Sequence, residues 1–175
     1  MSISLAAGLD AGLDALAVDL KPAQRQALLD YLALLQKWNQ VYNLTAVRDL
    51  QAMLSHHLLD CLAVVAPLRE RLASLATPAP IRLLDVGSGA GLPGLVLAIC
   101  LPQLQVDCVD TVAKKSSFIQ QAALTLGLAH LRGLHARVES LTAAYHVLSA
   151  RAFSSCPIWW LARTKPCCPA DSGWR

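Results

Sequence analysis

The sequence predicts an α/β fold: a parallel, doubly wound sheet preceded by a helical cap. Two observations carry that prediction. After residue 80, short apolar runs alternate with segments of helical period, the pattern of strands joined by crossover helices. Before it, the apolar residues recur at helical steps with no strand-like run between them.

The cap begins with a helix over residues 22–41, where Leu28, Leu32, Leu35, Trp38 and Val41 recur at three- and four-residue steps and form one apolar face. Pro22 suits the first turn, where its missing N–H has no partner to lose. Residues 49–62 predict a second helix, continuing until Pro67, and the asparagines Asn39 and Asn43 favour a helix end between the two. In the second half, strands are predicted over residues 81–86, 105–110, 131–136 and 145–150. Helices are predicted over 94–101, ended by Pro102, and over 114–126, stopped at Gly127. The domain division is then 1–77 for the cap, 78–155 for the sheet domain and 156–175 for a tail of different composition.

Composition excludes some classes and leaves others open. The chain has 175 residues, 55% of them hydrophobic and 15% charged, which sets disorder aside as a general description. A net charge of +3 is too small to argue nucleic-acid binding. The uncharged stretch 86–106 is broken by glycines and prolines, so no membrane span is expected. Asp10, Asp14 and Asp19 interrupt the apolar N-terminus, so no signal peptide is expected either. The six cysteines form no C-x-x-C pair, and Cys61, Cys100 and Cys108 lie in apolar segments. They read as core residues of a reducing, cytoplasmic setting, with no metal site.

The chemistry is concentrated in the turn Asp85-Val86-Gly87-Ser88-Gly89-Ala90-Gly91-Leu92-Pro93-Gly94. A glycine-rich strand-to-helix turn brings backbone amides close to a ligand. Residues 89–94 match G-x-G-x-x-G, a weak signal when taken alone. Asp85 turns the reading away from a dinucleotide, because a carboxylate there faces a pyrophosphate unfavourably but accepts hydrogen bonds, directly or through water, from an amino group such as that of S-adenosylmethionine. Pro93 points the same way, since it removes an amide that a pyrophosphate would use. Asp110, at the end of the second strand, is placed to accept ribose hydroxyls. A plain solvated aspartate remains open there.

Read together, several segments resemble one family. They are Trp38-Asn39-Gln40-Val41-Tyr42-Asn43-Leu44-Thr45, His57-Leu58-Leu59-Asp60, the glycine turn, Lys114-Lys115 with Phe118, Arg137-Val138-Glu139, and Ala150-Arg151-Ala152-Phe153. The chain is similar, over residues 22–153, to glucose-inhibited division protein B, the bacterial 16S rRNA guanine-N7 methyltransferase. The resemblance implies a class I methyltransferase sheet of order 3-2-1-4-5-7-6 and S-adenosylmethionine as cofactor. It also implies 16S rRNA in the small ribosomal subunit as partner, and a cytoplasmic enzyme, expected to be monomeric. It places Gly87, Leu92, Asp110, Val138, Glu139 and Arg151 at the cofactor. It assigns no catalytic residue, and His57 and Asp60 are left between a site role and a satisfied core pair. Lys37, Arg48, Arg69, Arg71, Lys114 and Lys115 are candidates for phosphate contacts, with solvated surface charge as the alternative.

The resemblance stops after Ser155. The composition of 156–175, with Trp159-Trp160 and Cys167-Cys168, reads as a tail in a different frame. A sheet ending at its fourth strand would leave that strand at an edge, so the expectation is poor folding and weak or absent methylation. Two other functions stay open on the sequence: a nicotinamide-dependent oxidoreductase, and a non-catalytic remnant of a methyltransferase.

Overall fold

The computed structural model describes residues 4–74 and 80–151. The expected boundary at residue 77 and the tail 156–175 lie outside the described residues.

Helix α1 (Leu5–Ala15), for which the sequence pattern makes no prediction, is capped by the Ser4 hydroxyl accepting from the Ala7 N–H at 3.2 Å. It buries Leu9 and Leu13. Helix α2 (Pro22–Tyr42) starts at its proline and ends at Asn43, whose φ of 48° is tolerated by asparagine. Its buried face is Leu28, Tyr31, Leu32, Leu35 and Asn39. Val41, expected on that face, is instead 70% exposed. At 3.6 residues per turn the face reaches Asn39, and Val41 turns outward.

The second predicted helix is divided. Helix α3 (Leu50–Met53) is capped by Asp49 and runs into a π-helical turn, Leu54–Leu59, then α4 (Asp60–Leu62). After a break at Ala63 and Val64, helix α5 (Val65–Ala73) follows. Pro67 therefore does not stop a helix. It is the third residue of α5, where an N–H has no intrahelical acceptor and its absence costs nothing.

Then come strand β1 (Ile81–Val86), helix α6 (Gly94–Cys100), strand β2 (Leu104–Asp110), helix α7 (Ala113–Thr125), strand β3 (Leu131–His135), a 3-10 turn (Val138–Ser140) and strand β4 (Val147–Ala150). All pairings are parallel, in the order β3-β2-β1-β4. This is the α/β architecture expected, with the first four strands in the implied order. β4 is shorter than expected because the His146 ring, and not a backbone carbonyl, accepts the Arg82 N–H at 3.1 Å.

The side chains of each strand alternate between two faces. Leu83, Val106 and Cys108 join the helices in one core, while Leu84, Val109 and Tyr145 form a smaller cluster on the other face. That second face carries Asp107, which accepts from Arg132 at 2.7 and 2.8 Å, from Arg82 at 3.2 Å and from the Tyr145 hydroxyl at 2.8 Å. Burial alone would raise the Asp107 pKa, but these donors outweigh it and hold the carboxyl below its ordinary value.

Two side chains of α2 fasten the cap to the sheet domain at opposite ends of α6. The Gln24 amide donates to the Ile99 and Cys100 carbonyls at 2.7 and 3.1 Å, satisfying acceptors at the last turn of α6. The buried Tyr31 hydroxyl donates to the Ala90 carbonyl at 2.9 Å, within the glycine turn. No helix among the described residues is long and apolar enough to cross a membrane.

Candidate functional site

In a parallel sheet the ligand site lies beyond the carboxyl ends of the strands, where neighbouring crossovers diverge. Here that point is at β1, which pairs with β2 on one side and β4 on the other. The register brings the strand ends level: Val86 stands opposite Val109 and Ala150, and Asp110 opposite His135. Asp110, at the end of β2, and Gly87, the Val138–Ser140 turn and Arg151, just beyond their strands, therefore all lie at the carboxyl edge of the sheet.

The turn after β1 takes its shape from glycine. Gly87, Gly89 and Gly91 have φ of 65°, 58° and 87°, a region costly for other residues. Gly94 is required for space: a Cβ there would lie 2.5 Å from Cys108 Sγ and 2.8 Å from Asp85 Cβ.

Most of the turn's amides are paired within the protein and do not face a ligand, contrary to expectation; Ala90, which lines the cleft beside the turn, is the exception. Gly87 and Ser88 donate to the Val109 carbonyl at 2.9 and 3.2 Å, and Gly91 and Leu92 to the Ser88 carbonyl at 2.8 and 2.9 Å. Gly89 donates to Asp110 Oδ2 at 3.0 Å and Gly94 to Asp85 Oδ2 at 2.9 Å. The turn spends these donors on its own shape.

Asp85 also departs from its expected role. Its side chain is fully buried, with Oδ2 on the Gly94 N–H and Oδ1 accepting from the Ser149 hydroxyl at 2.8 Å. With no exposed surface, the carboxylate presents no oxygen directly to a ligand. It braces the turn against β4. Desolvation pushes its pKa up to about 7, against the Gly94 N–H, the Ser149 hydroxyl and the charge of Arg151.

Asp110 is nearly buried and accepts from Gly89 N–H at 3.0 Å and Val112 N–H at 2.8 Å, with Lys115 Nζ at 3.5 Å. Its carboxylate still has lone pairs for two hydroxyls.

A small cleft of about 120 Å³ opens beside the turn, lined by Leu44, Thr45, His57, Gly87, Leu92 and Arg151 among others. Three predicted cofactor residues, Gly87, Leu92 and Arg151, thus meet on one wall system, with Asp110 one hydrogen bond away through Gly89. Val138 and Glu139 do not line this cleft; they stand at the end of β3, beyond β2.

Opposite the turn, the cap contributes His57 and Asp60, and both engage Arg151. Arg151 Nη2 donates to His57 Nδ1 at 3.1 Å, and Nη1 donates to Asp60 Oδ2 at 3.1 Å and to the His56 carbonyl at 3.2 Å. His57 Nε2 lies 2.7 Å from Thr45 Oγ1. Desolvation lowers the His57 pKa, and the neighbouring Arg151 charge lowers it further.

Of the basic candidates, Lys115 is committed to Asp110, and Lys114 donates to the Tyr42 carbonyl at 2.7 Å. Arg69 lies by the far end of α6, beside Cys100 and Leu101. Tyr31 and Ser149 are the residues that sequence reasoning missed. The only available signal was a polar hydroxyl at a position that the helix period or strand alternation sends inward.

Comparison with known proteins now decides the family. Residues 24–160 match the family described as "GidB: rRNA small subunit methyltransferase G". The chain belongs to that family. Curated relatives agree. "Ribosomal RNA small subunit methyltransferase G" of Paracidovorax citrulli is 61% identical over 161 residues, covering 88% of this chain and 66% of its own. The protein of the same name from Albidiferax ferrireducens is 63% identical over 153 residues, covering 84% and 68%. The chain thus spans about two thirds of the length of these GidB relatives. Among solved structures it is similar to coclaurine N-methyltransferase bound to N-methylheliamine and SAH. That match has a TM-score of 0.44 and 15% identity, covering 83% of this chain and 54% of that one.

Proposed function

We propose that this chain binds S-adenosylmethionine at the carboxyl edge of its sheet and transfers the methyl group to a guanine N7 of 16S rRNA in the small ribosomal subunit. The observation that carries the reading is the convergence of Gly87, Leu92 and Arg151 on one cleft at the switch point of a GidB-family sheet.

The residues present fit the cofactor by their donor and acceptor types. Asp110 supplies carboxylate acceptors for ribose hydroxyls, Leu92 an apolar wall and Arg151 a cation for the amino-acid end. Val138 and Glu139, at the end of β3, are assigned to the adenine, one strand beyond the ribose. The cofactor supplies an electrophilic sulfonium methyl group. Guanine N7 carries an in-plane lone pair and no proton, so no general base is required. The task left to the protein is to hold nucleophile and methyl group in line, which can contribute effective molarities of roughly 10⁵ M or more.

Isothermal titration with S-adenosylhomocysteine and with NAD tests the cofactor. Homocysteine-linked adenosine binds and NAD does not; tighter NAD binding overturns the reading. Tritiated methyl transfer to undermethylated 30S subunits, followed by nucleoside analysis, tests the acceptor. Label in 7-methylguanosine supports it. Cofactor binding without transfer favours a non-catalytic chain.

A further inference from the structure

The cation beside the glycine turn, Arg151, lies at the junction of β4 with the cap. The amides of Gly87, Ser88, Gly89, Gly91 and Leu92 are paired within the protein, which leaves Ala90 as the turn residue on the cleft whose N–H has no partner among the described residues.

The hydrogen bonds of His57 set the donors beside the cleft. Arginine only donates, so the 3.1 Å contact from Arg151 Nη2 makes His57 Nδ1 an acceptor. The imidazole is then neutral, with its proton on Nε2. That proton is donated to Thr45 Oγ1 at 2.7 Å. The same oxygen accepts the Val47 N–H at 3.2 Å. Both lone pairs of Thr45 are thereby occupied, and its hydroxyl can act only as a donor. Thr45 lines the cleft beside Arg151, Gly87 and Leu92. Arg151 keeps its Nε–H unspent among the described residues. Its counter-charge Asp60 has a side chain 62% exposed, so solvent screens that pair.

The cleft thus presents a fixed neutral donor and a cation. We propose that the Thr45 hydroxyl and Arg151 both donate to the carboxylate of the bound cofactor, with His57 the positioning residue that orients Arg151 on one side and the Thr45 hydroxyl on the other. This rests on the cofactor reading above. The cofactor's one anionic group matches two convergent donors. A nucleobase offers only neutral acceptors and makes poor use of the guanidinium.

The test compares S-adenosylhomocysteine with 5′-methylthioadenosine, which lacks the amino-acid end, by titration calorimetry on the full chain. Thr45→Val and His57→Phe lower affinity for S-adenosylhomocysteine about tenfold or more, the effect of losing a charge-assisted hydrogen bond. They leave methylthioadenosine binding unchanged, and Thr45→Ser keeps wild-type preference. Equal loss for both ligands would show a structural role and overturns the proposal. Unchanged S-adenosylhomocysteine affinity overturns it too, including the case where only RNA binding falls. If the wild-type chain binds neither ligand, the cofactor reading itself fails and takes this inference with it.

Discussion

Asp85 shows how a residue can be legible in place and misread in purpose. Its position at the end of β1 follows from the sequence, but its partners do not, because Gly94 and Ser149 reach it only through the turn and the β1–β4 pairing. Its raised pKa has a consequence for stability. An unfolded carboxyl releases its proton near pH 4, whereas folded Asp85 holds its proton up to about pH 7. The contribution to stability is fully present below the unfolded value and is lost as pH rises through the folded one. His57, held neutral by burial, acts in the opposite sense over part of the same range. The difference between wild type and Asp85→Asn isolates the carboxyl. Urea midpoints measured from pH 4 to 8 will show wild type losing stability relative to Asp85→Asn between about pH 4 and 7, then holding level. A flat difference curve would mean that Asp85 is ionised throughout.

The elements differ in how far the pattern reaches. β1 spans Ile81–Val86, as its apolar run predicts, because the glycine turn fixes its end. The π-helical turn Leu54–Leu59 was not legible. It depends on packing against α1, and no local signal marks where a helix takes one residue too many. Helix α2 is intermediate: its leucines were found, but its face ends on Asn39, whose amide accepts the Thr45 N–H at 2.8 Å and donates to the Val47 carbonyl at 3.1 Å. Tyr31 is the point at which α2 acts on the site. In Tyr31→Phe the ring keeps its contact with Phe118, whose centroid is 6.4 Å away, but the Ala90 carbonyl loses its donor. Leaving that buried acceptor unpaired costs about 1–3 kcal/mol. The variant should melt earlier and bind S-adenosylhomocysteine more weakly, with unchanged helix content by circular dichroism. Full retention of both stability and affinity would show that α2 does not support the turn.

At the scale of the molecule, hydrogen bonds join the cap and the sheet domain at four places among the described residues. Gln24 meets the end of α6, Tyr31 the glycine turn, Lys114 of α7 the Tyr42 carbonyl at the end of α2, and Arg151 the pair His57 and Asp60. Sequence reading separated these regions at residue 77 because composition changes there. Connections between residues 75 positions apart, such as Gln24 with Ile99, leave no local trace. Helices and sheet also share one buried core, from Leu9 in α1 to Leu131 in β3. Two independently unfolding units cannot divide a core of that kind without each exposing its share of apolar surface. The cap and sheet should therefore open together, and a ligand that stabilises one should protect both. At a hundredfold excess over the dissociation constant, ligand binding contributes about 2.7 kcal/mol to any opening that destroys the site. With saturating S-adenosylhomocysteine, hydrogen exchange should slow by a similar factor at amides of α2 and of β2, although α2 contributes none of the residues lining the cleft. Protection confined to the sheet and its glycine turn would instead make the cap a separate folding unit, docked on the site but not part of its stability.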